Sequence, residues 1–390
     1  MASEQLDNRD TGSPASRAVR AIQAPSIEVG GHADDDFDIS SIEGDDGTTS
    51  LASSILSAQA DEHGHRYAVF RDVRYPMPID EIEQNREDLK HSMLMMLTEN
   101  KLFFSPIGDH PQKILDIGTG TGIWAVEGMF IIRWLRTPVA GLTAIDDRSP
   151  RHFLSVLGKP GFAIRKLSPN MGDRYPSAKV RGIDIAPIQP KWVPPNVSFI
   201  VDDCELDWIE RDVDLAHFRF TIVILKNTSQ VLGHAFESLR PGGWIELQEF
   251  LPTVLCDDGT MPDDDPVKVL YEKIERSFEK FGLRVTLPPK LEPYLREAGF
   301  ENIHCQIMKV PIGPWAKDNT MRIIGLYQKL SVREVMPSLS GRPFQALGMS
   351  EAEIEVTIAM ARKGLEDPNV HRYFNYYFWY AQKPASSVGE

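Results

Sequence analysis

Three observations predict an α/β fold with a doubly wound, mostly parallel sheet. Residues 114–125 read Ile-Leu-Asp-Ile-Gly-Thr-Gly-Thr-Gly-Ile-Trp-Ala, an apolar strand that runs into a glycine turn and opens a helix. Downstream, short β-branched runs alternate with amphipathic helical stretches, the pattern of successive βαβ units. The last periodic stretch, Arg372–Ala381, carries aromatics on both faces and suits a strand buried inside the sheet.

The elements follow in order. Roughly the first 60 residues hold Asp34, Asp35, Asp36 and Asp38 among Gly, Ser and Thr. Such a stretch buries too little apolar surface to offset its ordering entropy and reads as a disordered acidic tail. Residues 61–390 then form the domain. Tyr67–Met77 and a helix from about Asp80 to Thr98, with Asp80 as N-cap and Ile82, Leu89, Met93, Met96 and Leu97 at helical spacing, make a helical N-terminal lid over 61–112. Strands are expected at Ile114–Ile117, Val180–Ile185, Val197–Val201 and Val213–Phe218. A helix ending at Phe236–Leu239, a Pro241-Gly242-Gly243 turn and a strand at Trp244–Phe250 come next. Val267–Phe281 is an amphipathic helix closed by Gly282, and Leu291–Ala298 a further helix before Gly299. A strand follows at Ile303–Val310, and Ser350 with Glu353 forms a capping box for a helix reaching about Leu365.

A formal charge of -14 argues against nucleic acid as a partner, since phosphate binding needs clustered Lys and Arg. Cys204, Cys256 and Cys305 lie far apart, with no pair at metal spacing, and suit a reducing interior. The N-terminus is polar and acidic, unlike a signal peptide. Gly128–Leu142 is the nearest approach to a membrane segment, but Arg133 and Arg136 interrupt it and it is too short to span. A soluble intracellular protein, cytoplasmic or nuclear, with no metal and no membrane partner, is expected.

The glycine stretch excludes two common phosphate sites. A dinucleotide fingerprint would place its third glycine at position 123, which is Ile123, and no Lys-Ser/Thr pair follows as a P-loop requires. Gly118, Gly120 and Gly122 instead let the backbone turn and approach a ligand closely. Asp184 ends the second strand, where a carboxylate can accept both ribose hydroxyls of a nucleoside. His217 and Arg219 alternate near the end of the fourth strand, where substrates meet cofactors in open α/β sheets. His217 is a candidate general base and Glu249, at the end of the fifth strand, is the other. The alternative for each is a hydrogen-bonded structural side chain.

The pattern Asp116-x-Gly118-x-Gly120-x-Gly122 resembles motif I of the S-adenosylmethionine-dependent methyltransferases. From about Thr48 to Pro384 the chain resembles the LaeA-like methyltransferases of fungi. The matching pieces are Thr48-Thr49-Ser50-Leu51, the Tyr67 segment, Asp116–Trp124, Gly182-Ile183-Asp184-Ile185-Ala186-Pro187-Ile188-Gln189-Pro190, Asp202–Trp208, His217-Phe218-Arg219, Arg240-Pro241-Gly242-Gly243-Trp244 and Val310-Pro311-Ile312-Gly313-Pro314-Trp315. The resemblance implies a class I methyltransferase (Rossmann-like) fold, a seven-stranded sheet with its last strand reversed, and S-adenosyl-L-methionine as cofactor. It also implies that an acid in Asp202-Asp203 meets the adenine amino group, with Asp203 the choice, and that Asp116 fixes the glycine loop through backbone N–H groups near the methionine moiety. Methyl transfer demands little acid–base machinery: the sulfonium is already activated, and orientation can supply about 7–11 kcal/mol.

One departure is large. In the family Asp184 would follow Asp116 by about 25 residues, whereas here 68 positions separate them. Removing 128–170 restores the spacing. That stretch holds seven Lys/Arg against two Asp/Glu in an otherwise acidic chain and cuts the helix after the cofactor loop. It reads as a retained intron or gene-model error; the alternative is a genuine basic insertion that loops out. Functionally, the leading expectation is methyl transfer to a small-molecule acceptor in fungal secondary-metabolite biosynthesis. The alternatives are a LaeA-like nuclear regulator of secondary-metabolite gene expression, with the acidic tail docking a protein partner, and a non-catalytic cofactor-binding scaffold.

Overall fold

The computed structural model describes residues 21–30, 59–62, 65–68, 75–126 and 170–385. Its strands are β1 (Ala21–Ile22), β2 (Gln59–Glu62), β3 (His65–Ala68), β4 (Lys113–Ile117), β5 (Lys179–Asp184), β6 (Val197–Val201), β7 (Val213–Arg219), β8 (Leu239–Phe250), β9 (Glu301–Pro311) and β10 (Tyr373–Gln382). Its helices are α1 (Glu81–Leu97), α2 (Met171–Arg174), α3 (Thr228–Ser238), α4 (Pro266–Glu279), α5 (Leu291–Glu297), α6 (Asn319–Leu339), α7 (Arg342–Ala346) and α8 (Glu351–Leu365). Among the described residues these form one eight-stranded sheet, ordered β1-β9-β10-β8-β7-β4-β5-β6, and the β2-β3 hairpin. No helix among them is long and apolar enough to cross a membrane.

The sheet is built outward from β4. Ile114, Leu115 and Ile117 are fully buried, and the strand pairs in parallel with both β5 and β7. A strand covered on both faces reads as a continuous apolar run, which is why Ile114–Ile117 carries no alternation. β6 and β8 extend the parallel sheet on either side, and β10 enters antiparallel between β8 and β9. The expected seven strands are β4 to β10, with the reversal at the end of the chain.

Three findings correct the expectations. First, residues 21–30 of the supposed tail belong to the fold. Ala21 and Ile22 pair in parallel with Cys305 and Gln306, Gly30 N donates to the Trp315 carbonyl (2.9 Å), and Lys317 N donates to the Glu28 carbonyl (2.7 Å). This run holds one charged residue, Glu28, so averaging composition over the whole N-terminal stretch hid it. The rest of the tail up to residue 58 lies outside the described residues. Second, β8 begins at Leu239. Pro241-Gly242-Gly243 is a bulge within the strand, where the register with β7 shifts between Val213 and Leu215. Third, the segment before β4 holds the β2-β3 hairpin as well as α1, and His65 Nδ1 meets the N-cap carboxylate of Asp80 at 2.6 Å.

Residues 127–169 lie outside the described residues, and with them the supposed insertion apart from Asn170. The segments on its two sides meet. Met171 N donates to the Trp124 carbonyl (3.4 Å) and Gly172 N to the Ala125 carbonyl (3.2 Å). Counted without 128–170, both are the i to i+4 bonds of a single helix. Trp124 and Met171, both buried, share one apolar cluster with Ile114 and Val180.

The C-terminal elements are locked to the sheet through one buried ion pair. Asp265 caps α4 by accepting from Val267 N and Lys268 N, and Arg372 Nε lies 2.9 and 3.0 Å from its two oxygens. Both side chains are almost fully buried. Arg372→Met is expected to cost about 3–5 kcal/mol in denaturant unfolding, because it strands a buried carboxylate. A loss below about 1 kcal/mol would show that the pair does not hold this region.

Candidate functional site

A cavity of about 530 Å³ opens where β4, β5, β6 and β7 end. Its polar part is formed by Gly118, Gly120, Thr121, Asp184, Asp202 and Asp203. Gly118 and Gly120 adopt φ of 68° and 56°, the left-handed region that side chains disfavour. A Cβ on Gly118 would lie 2.2 Å from Thr221 Oγ1, whereas one on Gly120 would point into open space. The loop is therefore packed tightly beneath and bare above. Gly122 faces the other way: a Cβ there would meet the Phe199 ring at 2.5 Å, so it serves packing and does not line the cavity.

The loop amides are held by β5. Gly118 N and Thr119 N donate to the Ile183 carbonyl (2.8 and 3.1 Å), and Gly120 N donates to Asp184 Oδ2 (2.8 Å). Asp184 Oδ1 accepts from Ala186 N at 2.9 Å. Burial raises the Asp184 carboxyl above its ordinary value, against the lowering effect of these two amides. A carboxylate has about four lone-pair sites, so two remain for ligand hydroxyls. On the adjacent strand end Asp203 Oδ1 accepts from Glu205 N (2.9 Å), while Asp202 Oδ1 accepts from Asp203 N (2.9 Å).

Asp116 works differently from expectation. It takes no loop amide: Oδ2 accepts from the Thr119 hydroxyl (2.6 Å), and Oδ1 pairs with His217 Nδ1 (2.8 Å). It does not line the cavity.

The two expected general bases lie beneath the site. His217 is completely buried, pairs with Asp116 and stacks on Trp124 with ring centroids 3.8 Å apart. Glu249 is 1% exposed; its Oε1 accepts from Thr221 N (2.9 Å) and Ile222 N (2.8 Å), fixing the short 3₁₀ turn Ile222–Ile224. Neither lines the cavity, which corrects their expected role in proton transfer. The physical reason is the strand pleat: both project from strand ends into the packing below the loops.

Burial pushes the Glu249 carboxyl up to about 8, with the two amides and Lys90 opposing. Its folded-state pKa exceeds the unfolded value of about 4.5. Its contribution is therefore complete below about pH 4.5 and is lost as pH rises toward 8. At about 1.36 kcal/mol per unit the swing amounts to a few kcal/mol. Glu249→Gln is expected to flatten the fall in melting temperature between pH 5 and 8; an unchanged slope would refute this.

The far part of the cavity is apolar. Met77 and Ile79 before α1, Tyr271, Ile274 and Phe278 on α4, and Val335 and Leu339 on α6 form its walls. One wall is charged: Glu83, Arg86, Glu87 and Lys90 on α1 face inward. These four are the cavity-lining residues that periodicity missed. Charges every three or four positions read as a solvated helix face, but α1 is packed against α6, and Glu83 and Lys90 are only 6% and 4% exposed. Thr121 ties this helix to the glycine loop by donating to Asp88 Oδ1 at 2.7 Å.

A glycine cradle with open space above Gly120, next to carboxylates at two successive strand ends, fits S-adenosylmethionine. Asp184 would hold the ribose, Asp203 the adenine, and Gly118 to Gly120 the methionine end. Comparison with known proteins supports the cofactor. Residues 86–305 match the methyltransferase domain family. Methyltransferase pytC of Aspergillus terreus is 31% identical over 352 residues, 90% of this chain and 95% of that protein. Secondary metabolism regulator LAE1 of Cochliobolus heterostrophus is 26% identical over 332 residues (83% and 94%). Protein-methionine methyltransferase laeA of Emericella nidulans is 27% identical over 337 residues (83% and 76%). The chain belongs to the methyltransferase domain family, among its LaeA-like members, and is an S-adenosylmethionine-dependent methyltransferase.

Proposed function

We propose that this methyltransferase acts on a small apolar acceptor in a fungal secondary-metabolite pathway. The observation that carries the reading is the continuity of the cavity: the polar cleft at Asp184 and Asp203 runs directly into a chamber walled by Tyr271, Ile274, Phe278, Val335 and Leu339. Small-molecule sites are concave, mostly apolar and about 300–1,000 Å³ in volume, with a few placed polar groups. When bound, the cofactor supplies an electrophilic methyl group. The protein's part is to orient the acceptor and exclude water, which needs no base at His217 or Glu249.

Regulation of secondary metabolism is the second reading, resting on the relatives described as regulators. A gene-deletion strain separates the two. Loss of one methylated product, restored by the wild-type gene, supports the enzyme; broad transcriptional change across unrelated clusters supports the regulator and overturns the first reading.

The same reading holds 128–170 to be extraneous to the domain. The hydrogen bonds from Met171 and Gly172 to Trp124 and Ala125 support it, because they keep helical register only when that stretch is left out. Sequencing the mature transcript across the Glu127–Met171 junction tests it: a message that retains the segment would overturn the artefact.

A further inference from the structure

The charged wall of the chamber is not uniformly paired. Arg86 donates from Nε to Glu83 (2.9 Å), holds Glu87 as well, and reaches Ser331 Oγ at 3.4 Å. Lys90 differs. Its ammonium lies 3.5 Å above the Phe220 ring centroid and 5.3 Å from that of Phe250. Its one hydrogen bond among the described residues is a long 3.5 Å contact with Glu87 Oε1, an oxygen that Arg86 already occupies. An ammonium has three donors. Two of them thus have no hydrogen-bond acceptor among the described residues and meet only the aromatic faces, at a site facing the chamber.

Most groups packed around Lys90 from other elements are neutral. Arg219 from β7, Glu249 from β8, Tyr271 from α4, Gln328 from α6 and Tyr376 from β10 complete the shell around the α1 residues. Burial keeps Glu249, Tyr271 and Tyr376 in their neutral forms, and burial with Arg219 alongside holds His91 well below its ordinary value. Tyr376 donates its hydroxyl to Gln328 Oε1 (2.7 Å). Burial opposes ionisation of Glu87, but Lys90, Arg86 and Arg219 outweigh it and hold the carboxyl below its usual range. Glu87 is therefore held as a carboxylate by Lys90, Arg86 and Arg219 together. Phe220 directly follows β7, so the Lys90 ammonium sits at the strand end where ligands of open α/β sheets meet.

We propose that Lys90 binds the acceptor as an oxyanion, so that the molecule methylated is an apolar compound bearing an acidic enol or phenol hydroxyl. This rests on the small-molecule reading above. The hydroxyl proton passes to solvent, and the anion pairs with the Lys90 ammonium. In the transfer an oxygen electron pair forms the new C–O bond as the methyl carbon's bond to sulfur breaks, and the pair of that bond stays on sulfur. The acceptor's negative charge and the sulfonium's positive charge cancel, leaving a neutral ether that no longer pairs with Lys90 and is free to leave. Burial lowers the Lys90 ammonium to about 8, with Glu87 opposing, so it is still charged at neutral pH and an arriving anion stabilises it further.

The test uses the full chain saturated with S-adenosylhomocysteine, with umbelliferone as the probe, because its phenol and phenolate excite at different wavelengths. Herniarin, its methyl ether, is the neutral control. Bound to wild type, umbelliferone is expected to ionise at least about one pH unit lower than in water, a tenfold preference for the anion. Lys90→Met is expected to abolish that shift while still binding herniarin, which shows the chamber intact; Lys90→Arg is expected to restore it. Herniarin binding with no shift for umbelliferone, or a shift that survives in Lys90→Met, overturns the role of Lys90 and leaves the small-molecule reading standing. Failure of wild type to bind either coumarin overturns that reading itself.

Discussion

Asp184→Ala is expected to weaken S-adenosylhomocysteine binding by at least about 100-fold in calorimetry, with the protein still folded. Two hydroxyl hydrogen bonds to a carboxylate are worth about 1.5–3 kcal/mol each. Each tenfold in affinity corresponds to about 1.4 kcal/mol, so losing both removes two orders of magnitude or more. The substitution also releases Gly120 N, which Asp184 Oδ2 holds at 2.8 Å, so the cradle loosens as well. Asp184→Asn, which keeps one acceptor oxygen, should fall between the two. Wild-type affinity in Asp184→Ala would overturn the assignment of the ribose subsite and, with it, the orientation proposed for the cofactor.

The second large effect concerns the covalent chain. Deleting 128–170, so that Glu127 is followed by Met171, is expected to give a more stable protein that binds S-adenosylhomocysteine at least as tightly. Met171 and Gly172 already bond to Trp124 and Ala125 at the spacing of a continuous helix. In the shortened chain Asp173 N, now capped by the Asn170 side chain at 2.8 Å, would find the Val126 carbonyl one turn back. Bringing together the ends of a 43-residue connection costs about 3 kcal/mol in closure entropy. Deletion removes that cost and should raise the melting temperature by several degrees. A lower melting temperature, or loss of cofactor binding, would show that the segment contributes to the fold.

What was legible in the sequence follows from how local each constraint is. The left-handed turn at Gly118–Gly122 and the strand-end place of Asp184 could be read directly, because each is a requirement of a few consecutive residues. The capping box at Ser350 and the N-cap at Asp80 are local in the same sense. The charged wall was not legible. Glu83, Arg86, Glu87 and Lys90 have the spacing of a solvent face, while Ile82, expected to face the core, is 47% exposed. Only the packing of α1 between the sheet and α6 decides which side is inside, and that is a contact between segments at opposite ends of the domain's sequence. His217 and Glu249 fail for the opposite reason. Strand-end position was read correctly, but the pleat sends each side chain below the loops, where one orients Asp116 and the other fixes Thr221 and Ile222.

The short pairing of Ala21 and Ile22 with Cys305 and Gln306 bears on how this protein can be handled. A sheet edge is a template: its open amides and carbonyls recruit any extended chain that reaches them. Composition invites trimming the whole acidic N-terminal stretch as dispensable. Trimming there would strip β1 from β9 and remove the partners of Trp315 and Lys317, uncovering a strand that a second molecule can extend. The cut that looks safest on paper is thus the one that lengthens the adhesive stretch of this border.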